Sequence, residues 1–242
     1  MNKSELSGQT AIVTGGGSGI GRAIAVDLAS EGVYVVITGR RAGLLETVVA
    51  EIIANGDHAI GVPADVSLEE DVLRLVKKST ESFGPPDIIV NNAGISGSGR
   101  VHDHSVEDWD QVMATNLRGP FLLARHTLPQ MRERGRGHFI HISSESGLEY
   151  YPGNGAYGVS KHALNALGEY IQRENQDHNI RVDTICPGMV VTPMSEGAKG
   201  LNYQKCLYPA DISELVLWLL TRRSNVKIGR PILIQTMENP WQ

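Results

Sequence analysis

The 242-residue sequence predicts a doubly wound parallel α/β sheet, three layers deep (α/β/α), in one domain spanning residues 1–242. Three observations carry that expectation. Short apolar runs alternate with amphipathic stretches along the chain, and neighbouring parallel strands need such helical crossovers between them. A glycine-rich segment, Thr14-Gly15-Gly16-Gly17-Ser18-Gly19-Ile20-Gly21, stands where the first apolar run gives way to the first amphipathic one. Hydrophobic residues make up 41% of the chain, enough for one continuous core, and no repeat, low-complexity tract or long charge run divides it.

Taken in order, Thr10 to Thr14 reads as a buried strand and Gly19 to Ser30 as the helix after it. Val33 to Thr38 and Ala42 to Ala54 repeat the pair, and His58 to Val62 is a weaker strand. Leu68 to Phe83 is a helix opened by Ser67 as its cap, followed by a strand at Asp87 to Val90. Val106 to Arg134 reads as one long helical region bent near Gly119 and Pro120. A strand at His138 to Ile142, a helix from Gly155 to Asp177, a strand at Ile180 to Ile185, a helix from Ala210 to Thr221 and a last strand at Pro231 to Ile234 complete the series. The right-handed crossover rule then places helices on both faces of the sheet.

Composition narrows the function classes. A formal net charge of -5 supplies no basic footprint for nucleic acid, which leaves a small-molecule ligand as the expected partner. The two cysteines, Cys186 and Cys206, have no metal-knuckle spacing and suit a reducing cytoplasm. Met1 to Gln9 is polar, and no apolar run approaches a membrane span. Of the eight histidines, His102 and His104 lie two apart in a loop, while His138 and His141 fall on opposite faces of one strand, so no catalytic metal is expected.

The glycine-rich segment is the first chemical signal. A turn of this kind between strand and helix lets the backbone approach a pyrophosphate, whose charge the helix N-terminus stabilises. Its pattern is TGxxxGxG, because Ile20 stands where the last glycine of GxGxxG would fall. Four further motifs follow it: Asn91-Asn92-Ala93-Gly94 after the fourth strand, Ser144 after the fifth, Tyr157-x-x-x-Lys161, and Pro187-Gly188 followed by Thr192. In that order and spacing the chain resembles the short-chain dehydrogenase/reductase family over nearly its whole length.

The resemblance implies a Rossmann-type fold with NAD(P) lying across the carboxyl ends of the strands, its phosphates on Gly15, Ser18, Gly19, Ile20 and Gly21. It also implies that Asn92, with Ala93 and Gly94, braces the backbone under the adenosine ribose, and that Asp65 and Val66 meet the adenine edge. Pro187, Gly188, Val190 and Thr192 would grip the nicotinamide carboxamide. Lys161 would bind the nicotinamide ribose, and Asn116 would steady Lys161 through a water. The tail departs from the family's common glycine-rich ending, running Ile232-Leu233-Ile234-Gln235-Thr236 instead.

The chemistry also follows from the residues alone. Tyr157 and Lys161, four apart on a helix, project from one face. A free phenol titrates near pH 10, so it transfers protons at neutral pH only if a positive charge lowers its pKa, and Lys161 is the expected source of that charge. Tyr157 would then be the general acid or base, and Ser144 would hold the substrate oxygen. Ser143 alternates to the other side of its strand.

Cofactor choice rests on the end of the second strand, where an acid would bond the ribose of NAD and an arginine the 2′-phosphate of NADP. Gly39 occupies that place, followed by Arg40 and Arg41, so NADP(H) is expected over NAD(H) with Arg40 as the main partner. The helix from Gly155 carries Ala163, Leu164, Ala166, Leu167, Tyr170 and Ile171, more apolar surface than one covered face requires, and the resemblance, to a family whose members commonly assemble through the equivalent helices, implies a homotetramer with a dimer as fallback. The loop from Thr192 to Pro209 holds Glu196, Lys199, Asn202, Tyr203 and Lys205. Read as a lid, it favours a small polar hydroxy acid, polyol or matching ketone over a 3-ketoacyl thioester, with Glu145 facing an amine or hydroxyl and Lys199 or Lys205 a carboxylate. A non-catalytic dinucleotide sensor would have no use for Tyr157, Lys161 and Ser144 together, and an epimerase of the extended relatives would carry a further sugar-binding region.

Overall fold

The computed structural model describes residues 5–97, 99–223 and 225–242. Its strands are β1 (Thr10–Thr14), β2 (Tyr34–Gly39), β3 (Ala59–Pro63), β4 (Ile88–Asn91), β5 (Gly137–Ile142), β6 (Ile180–Pro187) and β7 (Ile232–Ile234). The helices are α1 (Gly19–Ser30), α2 (Ala42–Ala54), α3 (Glu69–Phe83), α4 (Val106–Met113), α5 (Gly119–Arg134), α6 (Gly155–Asn175) and α7 (Pro209–Leu220). All strand pairs are parallel, and the sheet runs β3-β2-β1-β4-β5-β6-β7. The expected three-layer Rossmann-type α/β fold is therefore the fold observed.

Alternation along each strand divides the core between two faces. Ala11 and Val13, Val35 and Ile37, and Ile88 and Val90 pack with buried residues of α1, α2 and α7. Ile12, Val36, Ile89 and Phe139 face the other way, against α3, α5 and α6. Asp87, just before β4, ties the far end of the sheet: its Oδ2 accepts from Thr10 N (3.1 Å) and its Oδ1 pairs with Arg134 and Arg136.

The long helical region differs from expectation in one respect. It is continuous, but the distortion sits before Gly119, as a π-helical turn over Ala114–Arg118 in which Gly119 N–H reaches the Ala114 carbonyl. Pro120 supplies the reason, since it has no N–H to give the Asn116 carbonyl four residues back, and the turn upstream widens.

Placement of the site follows from the strand order. The chain winds outward from β1 through β2 to β3, then crosses to β4 on the other side of β1. At that reversal the loops after β1 and β4 part, leaving a crevice beyond the carboxyl ends of the strands.

Candidate active site

A cavity of about 880 Å³ fills that crevice. Its first wall is the glycine turn after β1, locked to the loop after β4. Thr14 Oγ1 donates to Val90 O (3.2 Å) and accepts from the N–H groups of Asn92 (3.0 Å) and Ala93 (2.9 Å). Asn92 Nδ2 donates back to Thr14 O (2.8 Å) and Gly15 O (3.3 Å). Gly15 has φ +65°, and a Cβ there would lie 2.8 Å from Asn92 Nδ2, so the turn admits no side chain at this position.

Helix α1 opens onto the cavity without a side-chain cap from Ser18 and without an acid in its first turn. Its leading N–H groups and partial positive charge thus face the cavity beside Gly15, Gly17 and Gly19. This is a cradle for a phosphate group, and it fits the diphosphate of a dinucleotide.

Further along, Gly39, Arg40 and Arg41 after β2 and Ala64, Asp65 and Val66 after β3 line the same cavity. Both arginines are exposed, and neither forms an ion pair among the described residues. Asp65 Oδ1 is engaged locally, accepting from Ser67 N (2.9 Å) and Ser67 Oγ (2.7 Å).

At the other end, Ser144 follows β5, and α6 brings Tyr157 and Lys161 alongside it. Lys161 is buried, with Nζ donating to Ile142 O (2.9 Å) and lying 5.5 Å from the Tyr157 ring centroid. Burial pushes the Lys161 ammonium down to about 8. Burial also pushes the Tyr157 phenol up, and the Ser144 hydroxyl beside it pulls the other way. The expectation that Lys161 lowers the phenol is not realised in this geometry: the further influences on Tyr157 come from Cys186 and Glu145, and both raise it. The physical reason is that the desolvation which depresses Lys161 also disfavours the phenolate.

A match to known sequence accompanies this geometry. The family model described as short chain dehydrogenase matches residues 9–200. The chain belongs to the short chain dehydrogenase family. It is an NAD(P)-dependent oxidoreductase. An uncharacterized oxidoreductase of Staphylococcus aureus (strain USA300) is 36% identical over 224 residues, 93% of this chain and 96% of the relative. A solved dehydrogenase/reductase from Sinorhizobium meliloti 1021 superposes with TM-score 0.85 at 34% identity, covering 94% of each chain. An alcohol dehydrogenase from the archaeon Thermococcus sibiricus, solved with 5-hydroxy-NADP, gives TM-score 0.87 at 29% identity over 97% of each chain.

Of the site residues expected in this short chain dehydrogenase, Gly15, Ser18, Gly19, Ile20, Arg40, Arg41, Asp65, Val66, Asn92, Ala93 and Gly94 line the one cavity. So do Ser144, Tyr157, Lys161, Pro187, Gly188, Val190 and Thr192. Gly21 and Asn116 do not. Gly21 is buried where a Cβ would stand 2.4 Å from Asn92 Nδ2 and from Gly15 O, so its role is to let α1 approach the loops. Asn116 sits in the π-helical turn, fully buried; its Oδ1 accepts from Ile95 N (2.9 Å), and its Nδ2 donates to Ile95 O and Ser160 Oγ (3.0 Å each). Ser160 in turn donates to the Tyr157 carbonyl (2.7 Å), so Asn116 joins the loop after β4 to the Tyr157 turn of α6.

The lid reading needs correction. Only Thr192, Pro193, Met194 and Ser195 of the Thr192 to Pro209 loop reach the cavity, and Asn202, Tyr203 and Lys205 are engaged elsewhere. Tyr203 donates its hydroxyl to Ser195 O (2.8 Å), while Lys205 pairs with Glu238 (3.1 Å) and donates to Gln242 O (3.1 Å). Met189, Met194 and Trp241 form an apolar wall instead, joined by Tyr151. Trp241 was not expected from the sequence, where its signal was no more than an aromatic residue after Pro240 in a polar tail. Among the described residues no helix is long and apolar enough to cross a membrane.

Proposed function

We propose that this short chain dehydrogenase transfers a hydride between NADP(H) and the reacting carbon of a small polar alcohol or its matching ketone, with Tyr157 as general acid and base. The observation that carries the reading is the convergence of Tyr157, Ser144 and Lys161 at one end of a cavity whose other wall is an uncapped phosphate cradle. When bound, the nicotinamide supplies or accepts the hydride. Lys161 would hold its ribose, and Pro187, Gly188, Val190 and Thr192 its carboxamide. Ser144 would donate to the substrate oxygen and keep it in line. Tyr157, protonated at neutral pH because burial raises its pKa, would give its proton to that oxygen during reduction. In the reverse direction its phenolate would take the alcohol proton.

The preference for NADP(H) is supported by Arg40 and Arg41 at the cavity rim, with Gly39 where an acid would oppose a phosphate. A homotetramer, with a dimer as fallback, is supported by a groove lined by Met113, Leu117, Phe121 and Leu167, and by the exposed Tyr170. The two buried free cysteines accord with a reducing cytoplasm. A 3-ketoacyl thioester is the second reading, favoured by the apolar wall of Met189, Met194 and Trp241. Nicotinamide absorbance decides between them when the enzyme meets a panel of polar ketones, polyols and acyl thioesters. The proposal expects NADPH consumption with small polar ketones, and kcat/KM rising steadily with acyl length would replace it with the second reading.

A further inference from the structure

The charged side chains lining the cavity are Arg40, Arg41, Asp65, Glu145 and Lys161. Three of them stand after β2 and β3, at the end away from Tyr157. Beside Ser144 there remain Lys161, committed to Ile142 O, and Glu145. No lysine or arginine among the described residues pairs with Glu145. Its side-chain neighbours are neutral: Gln235 Nε2 donates to Oε2 (2.6 Å), and the Tyr151 hydroxyl stands beside the carboxylate. Oε2 also lies over Gly188, where a Cβ would stand 3.4 Å from it.

A carboxylate has about four lone-pair sites, so two neutral donors leave acceptor capacity on a group that lines the cavity. A donor on the substrate would fill that capacity with a charge-assisted hydrogen bond. A substrate carboxylate would instead meet this negative charge, and the one cation lining the cavity on this side is Lys161, held by Ile142 O and assigned to the nicotinamide ribose, since Lys199 and Lys205 do not line the cavity.

We propose that Glu145 determines specificity by accepting a hydrogen bond from a hydroxyl or ammonium group carried beside the reacting carbon, and by turning away substrates that carry a carboxylate there. This rests on the hydride-transfer reading and narrows it from hydroxy acids toward hydroxyketones, polyols and amino alcohols.

The test compares wild type with Glu145→Gln on four ketones of matched length: a hydroxyketone, an aminoketone, the unsubstituted ketone and a keto acid. NADPH affinity and melting temperature are recorded beside each rate to report the folded cavity. Wild type should prefer the hydroxyketone or aminoketone to the keto acid by at least about tenfold in kcat/KM, and Glu145→Gln should shrink that ratio by about tenfold. Selective loss of the aminoketone in the variant assigns the donor as ammonium, selective loss of the hydroxyketone assigns it as hydroxyl, and equal losses show that Glu145 accepts from either. In parallel, the NADP-loaded enzyme is titrated with a diol and with the matching carboxylate. A keto acid among the best substrates, a carboxylate bound more tightly than the diol, or ratios untouched by Glu145→Gln would each overturn the proposal. Absence of turnover on every ketone would count against hydride transfer, while the titration still reads Glu145.

Discussion

Replacing Lys161 with methionine should make the protein more stable while abolishing its activity. Lys161 is buried with one hydrogen bond to Ile142 O, and it titrates at about 8 against its ordinary 10.5. At 1.36 kcal/mol per pH unit, holding the folded ammonium costs roughly 3 kcal/mol at pH 7. Methionine has a similar length and no charge, so it recovers most of that cost but leaves the Ile142 carbonyl without its partner, a loss of about 1–2 kcal/mol. The net gain of about 1–2 kcal/mol corresponds to a melting temperature higher by about 4 °C in a chain of this size. Below about pH 8 both folded and unfolded Lys161 are charged, and the cost is complete. Between about pH 8 and 10.5 the folded lysine has released its proton while the unfolded one keeps it, so wild-type stability rises with pH and the gap to Lys161→Met closes. Thermal unfolding of both proteins without cofactor from pH 6.5 to 10 reads this directly. A variant several degrees less stable at pH 7, with a gap indifferent to pH, would refute the reasoning.

Two further outcomes are expected. Arg40→Ala should lower the ratio of kcat/KM for NADPH over NADH by about tenfold, equivalent to about 1.4 kcal/mol, with a smaller effect for Arg41→Ala; a native preference for NADH would contradict this. Light scattering at micromolar concentration should give four times the mass of one chain, or twice it for the fallback dimer, and a monomer would remove the role assigned to the groove around Phe121 and Leu167.

Much of this fold is legible in the sequence because its signals are local. Short continuous apolar runs separated by amphipathic helices specify a parallel sheet covered on both faces, and the glycine turn at Thr14–Gly21 lies within one strand-helix unit. Tyr157 and Lys161 are likewise visible as neighbours on one helix. What was not legible depends on distant contacts. Gly21 looks like part of the phosphate turn, yet its small size serves an approach to Asn92, 71 residues away in the chain by their numbering. The π-helical turn around Asn116 follows from Pro120, but nothing nearby shows that the buried amide will bridge Ile95 and Ser160. Lys205 reads as a substrate partner because sequence cannot show that the C-terminal tail returns to its loop, with Pro240 O accepting from Asn202 N (2.8 Å) and Gln242 O from Lys205. The same return brings Trp241 to the cavity. Electrostatics was misjudged for a related reason: the Tyr157/Lys161 spacing is visible, but the burial that outweighs it is a property of the packed site.

The central claim, that Tyr157 moves the proton, is tested most directly by Tyr157→Phe. The ring remains while the hydroxyl is gone, so NADPH affinity by fluorescence titration should stay within about twofold of wild type, and single-turnover reduction should fall by about 10²–10⁴, the range of general acid catalysis. Near-native turnover in Tyr157→Phe, with the cofactor bound as in wild type, would contradict the mechanism.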